Sequence, residues 1–295
     1  PPGLDNNAYT NVMAVWVLVE AVKVLDLLPA DRREELVLEL GLQKGEIEHW
    51  KDVSRKMRVV FHGDGIISQF EGYDRLREFD WDAYRKKYGD IQRLDRVLEA
   101  EDDSPNRYQV SKQADVLMLL YLFATEELQR LFERLGYPFD SDIIPRNIEY
   151  YLKRTSHGST LSRVVHSWVL ARSNRGGSWE LCKRALESDL TDIQGGTTPE
   201  GIHLGAMAGS VNILQECYTG IEPRDGVLWF NPCLPEALNR LRMEIRYHGY
   251  CLDADVSRER LTVSTGPCLQ TPIRIGFDDQ VYELKGVETK SFRLK

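Results

Sequence analysis

The chain has 295 residues, enough to bury a large core as one big domain or as one domain with a smaller companion. Apolar residues make up 42% and charged residues 28%, an ordinary globular balance. The formal net charge of -8 argues against nucleic acid as a partner, and no apolar run reads as long enough to span a membrane.

The chain opens on Pro1-Pro2-Gly3 without methionine, which reads as the cut end of an internal fragment. Residues 7–28 carry a dense apolar face through Val12, Val15, Trp16, Val19 and Val22, and Pro29 ends the predicted helix. Residues 31–42 and 45–57 read as two charge-rich, surface-facing helices. The polar stretch His62-Gly63-Asp64-Gly65 leads to Gln69-Phe70-Glu71-Gly72-Tyr73, and 62–73 reads as a loop. Helices are predicted again over 81–88, 108–123, 125–135, 145–154, 160–172, 178–189 and 199–218. Their short connections favour antiparallel neighbours, as in a helical toroid or a plain bundle.

The texture changes after Gly226. Leu241, Met243, Ile245 and Tyr247 alternate with Arg242, Glu244 and Arg246, a period of two. Tyr250, Leu252, Ala254 and Val256 repeat the pattern after the predicted turn His248-Gly249. Further strands are expected over 261–263, 273–277 and 281–284. The fold class expected is mainly α over 1–222, followed by a small antiparallel β-domain over 223–295. The stretch Glu222-Pro223-Arg224-Asp225 marks the boundary. The five cysteines, Cys182, Cys217, Cys233, Cys251 and Cys268, are odd in number and show no CxxC spacing, so neither a disulfide framework nor a zinc site is expected. A reducing cytoplasm is the expected location.

Several segments suit chemistry. Thr155-Ser156-His157-Gly158-Ser159-Thr160-Leu161-Ser162 leads into a helix marked by Leu161, Val164, Val165, Trp168 and Val169. Unpaired amides and the helix dipole favour an anion there, so the segment is either a phosphate cradle or an ordinary Ser/Thr cap. Thr198 before Pro199 predicts a second helix start, and Thr197 with Glu200 has capping-box spacing. Gly201, Gly205 and Gly209 give that helix one small-residue face. Glu200 reads as a capping residue, with a catalytic role as the minority alternative. Lys112 and Gln113 fall near a helix start and suit several sugar hydroxyls, or form a solvated turn. Asp5-Asn6-Asn7 is similar: polar and capping-like, with sugar contacts open. His166 and His203 read as core histidines. No two histidines are spaced for a metal site on one helix face, and no metal or cofactor is expected.

Together these segments resemble glycoside hydrolase family 65, which includes maltose, trehalose, kojibiose and nigerose phosphorylases and some hydrolases. Asp5 to Asn11 resembles the segment after that family's catalytic glutamate, and Lys112-Gln113 its lysine-glutamine motif. Ser156 to Ser162 is similar to its His-x-Ser-Thr phosphate motif, and Glu200-Gly201-Ile202-His203 to its Glu-Gly-Ile-His helix start. Gly226 to Pro235 resembles the entry to its C-terminal β-domain.

The resemblance implies the later helices of an (α/α)6 barrel followed by a β-sandwich-like domain. It implies that Lys112, Gln113, Asn6 and Asn7 lie on the sugar side, and that His157, Gly158, Ser159 and Thr160 hold inorganic phosphate. Gly158 stands where many relatives have aspartate. The general-acid glutamate is expected upstream, so the chain alone should be inactive. The implied reaction is inverting phosphorolysis of an α-glucosyl disaccharide to β-glucose 1-phosphate. The partners are then disaccharide and phosphate, with no nucleic acid and no membrane, and a homodimer is possible. A hydrolase with Glu200 as base and a non-catalytic carbohydrate-binding fragment are the alternatives.

Overall fold

A computed structural model describes the chain apart from residues 1–2, 113, 141, 172–173, 192–198, 200, 268–271 and 295. Packing divides it into two compact units, Pro1–Gly158 and Ser159–Lys295. This division lies upstream of the expected 222/223 boundary.

In the first unit, helix α1 (Ala8–Leu27) starts where the Asn7 side chain accepts a hydrogen bond from the Thr10 amide at 2.9 Å. By length and mean hydropathy of 1.5 this helix does pass as a membrane span, contrary to the sequence expectation. It packs against three neighbours, with Ala8, Val12, Val15 and Leu25 buried and Val17, Val24 and Leu27 exposed. Helices α2 (Ala30–Glu39) and α3 (Glu46–Lys56) follow. As their charge predicts, they bury almost nothing of their own. Glu46 and Glu48 in the first turn of α3, with Arg55 and Lys56 in its last, complement the helix dipole.

The stretch expected as a plain loop contains a small hairpin, β1 (Phe61–His62) with β2 (Ile66–Ile67). Its two-residue strands are too short to leave an alternating pattern. Helices α4 (Trp81–Tyr88) and α5 (Leu94–Glu99) bracket an aromatic cluster built on Phe79, Leu94 and Leu98. Helix α6 spans only Asp115–Leu122, not 108–123. Residues before it are extended because Ser111 forms a parallel bridge with Thr155. Val116, Leu117, Leu119 and Leu120 of α6 are fully buried, each worth about 1.5–3 kcal/mol of burial. Helices α7 (Thr125–Arg134) and α8 (Ile143–Leu152) complete the unit.

The second unit begins with α9 (Thr160–Leu170), α10 (Arg175–Leu186) and α11 (Leu204–Asn212), the last running into a π-turn at Ile213–Cys217. The strands β3 (Glu222–Arg224), β4 (Val227–Phe230), β5 (Arg240–Tyr247), β6 (Tyr250–Ser257), β7 (Arg260–Thr265), β8 (Ile273–Phe277), β9 (Gln280–Leu284) and β10 (Thr289–Arg293) form two four-stranded sheets, ordered β10-β7-β6-β5 and β3-β4-β8-β9. Leu228, Phe230 and Ile275 of one sheet share a core with Leu252, Val256 and Leu261 of the other. The stretch at the expected boundary contains strand β3, turned back by Asp225-Gly226, both at positive φ. The domain is also mixed rather than purely antiparallel, because β4 pairs with β8 in parallel. The turn at His248-Gly249 does join β5 to β6, with φ of 48° and 81°.

Candidate functional site

In the first unit, three segments singled out in the sequence come together. Asn7, besides capping α1, donates through Nδ2 to Asp115 Oδ2 at 3.3 Å, which ties the start of α1 to the start of α6. Asn6 has a left-handed backbone (φ 52°) and donates to Glu71 Oε2 at 2.7 Å. Glu71 also faces Arg58 at 3.1 Å. Both asparagine amides are therefore engaged with protein groups.

Lys112 is exposed just ahead of α6, while Gln113 lies outside the described residues. Ser111 accepts from the Ser156 amide at 3.0 Å and donates to the Arg154 carbonyl at 2.9 Å, laying the Lys112 segment along the one that ends at Gly158. His157 is left-handed at φ 55°. A Cβ on Gly158 would stand 2.5 Å from the Gln92 carbonyl oxygen and 3.4 Å from Lys112 Cγ. That space, which an aspartate would need, is filled here by the Gln92 backbone and the Lys112 stem.

In the second unit, Ser159 occupies the cap position of α9 in extended conformation, yet its hydroxyl makes no cap bond. The ordinary-cap reading of this serine fails on that observation. Thr160 follows, 5% exposed. Leu161 is exposed, and Ser162, Arg163, His166 and Ser167 are buried beside the valines, so α9 is enclosed nearly all round rather than on one apolar stripe.

Helix α11 lies against α9 through its small residues. Added Cβ atoms on Gly205 and Gly209 would meet Leu161 Cδ2 at 3.1 Å and Val164 Cγ1 at 2.5 Å. Successive contacts advance in the same direction along both helices, so they run parallel and their N-termini lie side by side. Two positive helix ends thus face one region.

Thr198, with its predicted cap, lies outside the described residues; the described α-helix begins at Leu204, with His203 at the cap position. Glu200 and Thr197 lie outside the described residues. His203 is not a core residue either. Its Nδ1 lies 2.5 Å from Asp189 Oδ1, its amide donates to Asp189 Oδ2 at 2.9 Å, and its side chain is 26% exposed. The His203 hydrogen bond holds the Asp189 carboxyl below the usual range, against desolvation. An ionised carboxylate only accepts, so Nδ1 carries the proton and Nε2 is left for a second partner.

A depressed folded-state pKa contributes stability above the unfolded value and loses it as pH falls through the folded one. The stability gap between wild type and Asp189→Asn is therefore expected to be full at about pH 6 and to close below about pH 4. Urea unfolding at both pH values measures it, and a gap independent of pH contradicts the pairing.

Sequence reasoning gave no individual role to Gln69, Gln92 or Asp189.

The family model for the glycosyl hydrolase family 65 central catalytic domain matches residues 2–212, and that for the family 65 C-terminal domain matches residues 221–284. The chain belongs to glycosyl hydrolase family 65. It is 54% identical over 283 residues to an uncharacterized glycosyl hydrolase of Mycobacterium tuberculosis, covering 96% of this chain and 21% of that relative. It is 34% identical over 294 residues to the trehalose 6-phosphate phosphorylase of Lactococcus lactis, covering 99% of this chain and 36% of the relative. Identity to the kojibiose phosphorylase of Halothermothrix orenii is 28% over 267 residues, 88% of this chain and 32% of that one. The chain thus spans about a fifth to a third of the length of these curated relatives. A solved structure, "Putative kojibiose phosphorylase from human microbiome", shares the fold with a TM-score of 0.75 at 21% identity, over 99% of this chain and 36% of that one.

Proposed function

We propose that the protein carrying this chain performs inverting phosphorolysis of an α-glucosyl disaccharide, releasing β-glucose 1-phosphate and the acceptor sugar. The observation that carries this reading is the parallel pair of helix starts at α9 and α11, with an uncapped Ser159 and a carboxylate-held His203 beside them. Backbone amides at two helix ends suit a dianion without any metal ligand. In this reading Ser159, Thr160 and His203 hold inorganic phosphate, and His157 and Gly158 shape its approach. Lys112 and Gln113 take glucosyl hydroxyls, while Asn6 and Asn7 hold that segment in place.

Phosphate is already an anionic nucleophile, so the protein's task is to place it behind the anomeric carbon and stabilise the charge that redistributes. The anomeric C–O bond breaks as a phosphate oxygen bonds to the opposite face. The departing oxygen takes a proton from a carboxylic acid, which the family resemblance assigns to a glutamate preceding Asp5. A hydrolase needs a second carboxylate to activate water, and the segment from Ser156 to Ser162 has none. Glu200 is the residue to test for that role.

Relatives named for trehalose 6-phosphate, kojibiose and maltose define the substrate panel. With a protein of the relatives' length, cleavage of the true substrate is expected to saturate with phosphate and stop without it. Equal cleavage without phosphate, abolished by Glu200→Gln, establishes the hydrolase instead.

A further inference from the structure

The loop after β2 carries one residue that joins both walls of the sugar side. Gln69 is 7% exposed. Its backbone carbonyl accepts from the Ala8 amide, the first of α1, at 3.0 Å. Its side-chain Oε1 accepts from the Asp115 amide, the first of α6, at 3.0 Å. The residue at the cap position of α6 is Ala114, which has no side chain able to cap. Gln69 therefore supplies that cap from another part of the chain, while its own backbone satisfies an amide of α1.

The loop is itself held. The Glu71 amide donates to the Asp5 carbonyl at 2.9 Å, the Ile67 amide to Asn147 Oδ1 at 2.9 Å, and the Tyr151 hydroxyl to the Ile67 carbonyl. A fixed loop, through one residue, sets the spacing between the segment 5–7 and the segment that ends in Lys112. The Asn7–Asp115 hydrogen bond repeats the same tie.

We infer that Gln69 is a positioning residue for sugar binding: it fixes the start of α1 against the start of α6, and so sets where Lys112 stands relative to Asn6 and Asn7. The inference rests on the phosphorolytic reading above, because it takes those segments as the sugar side. Gln69 touches no substrate in this account, and the segment from Ser159 onward does not depend on it.

The test is steady-state kinetics on a protein of the relatives' length, varying disaccharide and phosphate separately. Gln69→Met keeps the side chain's length and removes the acceptor. It is expected to raise KM for disaccharide about tenfold, with KM for phosphate within about twofold of wild type. Gln69→Glu keeps an acceptor oxygen between two positive helix ends and is expected to restore both values.

A merely structural role lowers the melting temperature and moves both KM values together, or neither. Either pattern in a folded Gln69→Met variant overturns the inference, as does a Gln69→Glu variant with the same defect. Should Gln69→Met not fold, Asp115→Ala cuts the second tie and leaves both helix caps. The same selective rise in disaccharide KM is expected, and its absence overturns the inference. A wild type that releases no glucose 1-phosphate from any disaccharide removes the phosphorolytic reading and this inference with it. An active wild type with an unchanged Gln69→Met variant removes the inference alone.

Discussion

Replacing His203 by alanine is expected to lower kcat/KM for phosphate about 100-fold, the usual cost of losing one aimed donor in a preorganised anion site. The ring is partly open to solvent, at 26% side-chain exposure. Asp189→Asn leaves the ring in place but replaces the anion that fixes its tautomer. A smaller loss, about tenfold, is expected there. Initial rates against phosphate concentration measure both. An unchanged phosphate dependence with a lowered melting temperature reduces the Asp189–His203 pair to a staple between the end of α10 and the start of α11.

Replacing Asn147 by leucine is expected to cost about 3 kcal/mol of stability, at nearly constant side-chain volume. Asn147 is fully buried on α8. It accepts from the Ile67 amide at 2.9 Å and donates to the carbonyls of Ile143 at 2.8 Å and Gly65 at 3.2 Å. Leucine leaves the amide of the fully buried Ile67 without its acceptor and the β1–β2 hairpin without its anchor. Urea unfolding of the 295-residue chain reads the loss. A change below about 1 kcal/mol means that the hairpin finds its partners elsewhere.

These two residues also mark where the sequence stopped being legible. Helices α1, α4 and α7 emerged at nearly their true limits; α7 shows why most plainly, burying Leu128, Leu131 and Phe132 at helical spacing. Helix α6 was overdrawn toward its N-terminus. Residues 108–112 lack any local stop, and what keeps them out of the helix is a bridge of Tyr108 to Arg77 and one of Ser111 to Thr155, both far along the chain.

The same holds for Gln69 and Asn147, whose work is to satisfy amides on distant elements. Ordinary polar residues in a loop and a helix carry no periodic signature of that duty. His203 was misread for a related reason. Its sequence neighbours are apolar, but the helix begins one residue after it, and Asp189 returns from α10 to hold it. The segment from Ser156 to Ser162 was placed correctly at a helix start. What the sequence lacked was the second helix start beside it, which depends on Gly205 and Gly209 letting α11 approach α9. In the β-domain, the long hairpin β5–β6 was readable from its alternation and its turn. Strand β3 was hidden under Pro223, which reads as a breaker but is tolerated at a sheet edge.

The most direct test of the central claim is the product itself. A protein of the relatives' length, incubated with the disaccharide panel and phosphate, is followed by proton NMR from the first turnover. The account predicts β-glucose 1-phosphate as the initial product, formed only when phosphate is present. Free glucose released at the same rate without phosphate, or glucose 1-phosphate in the α configuration, contradicts it.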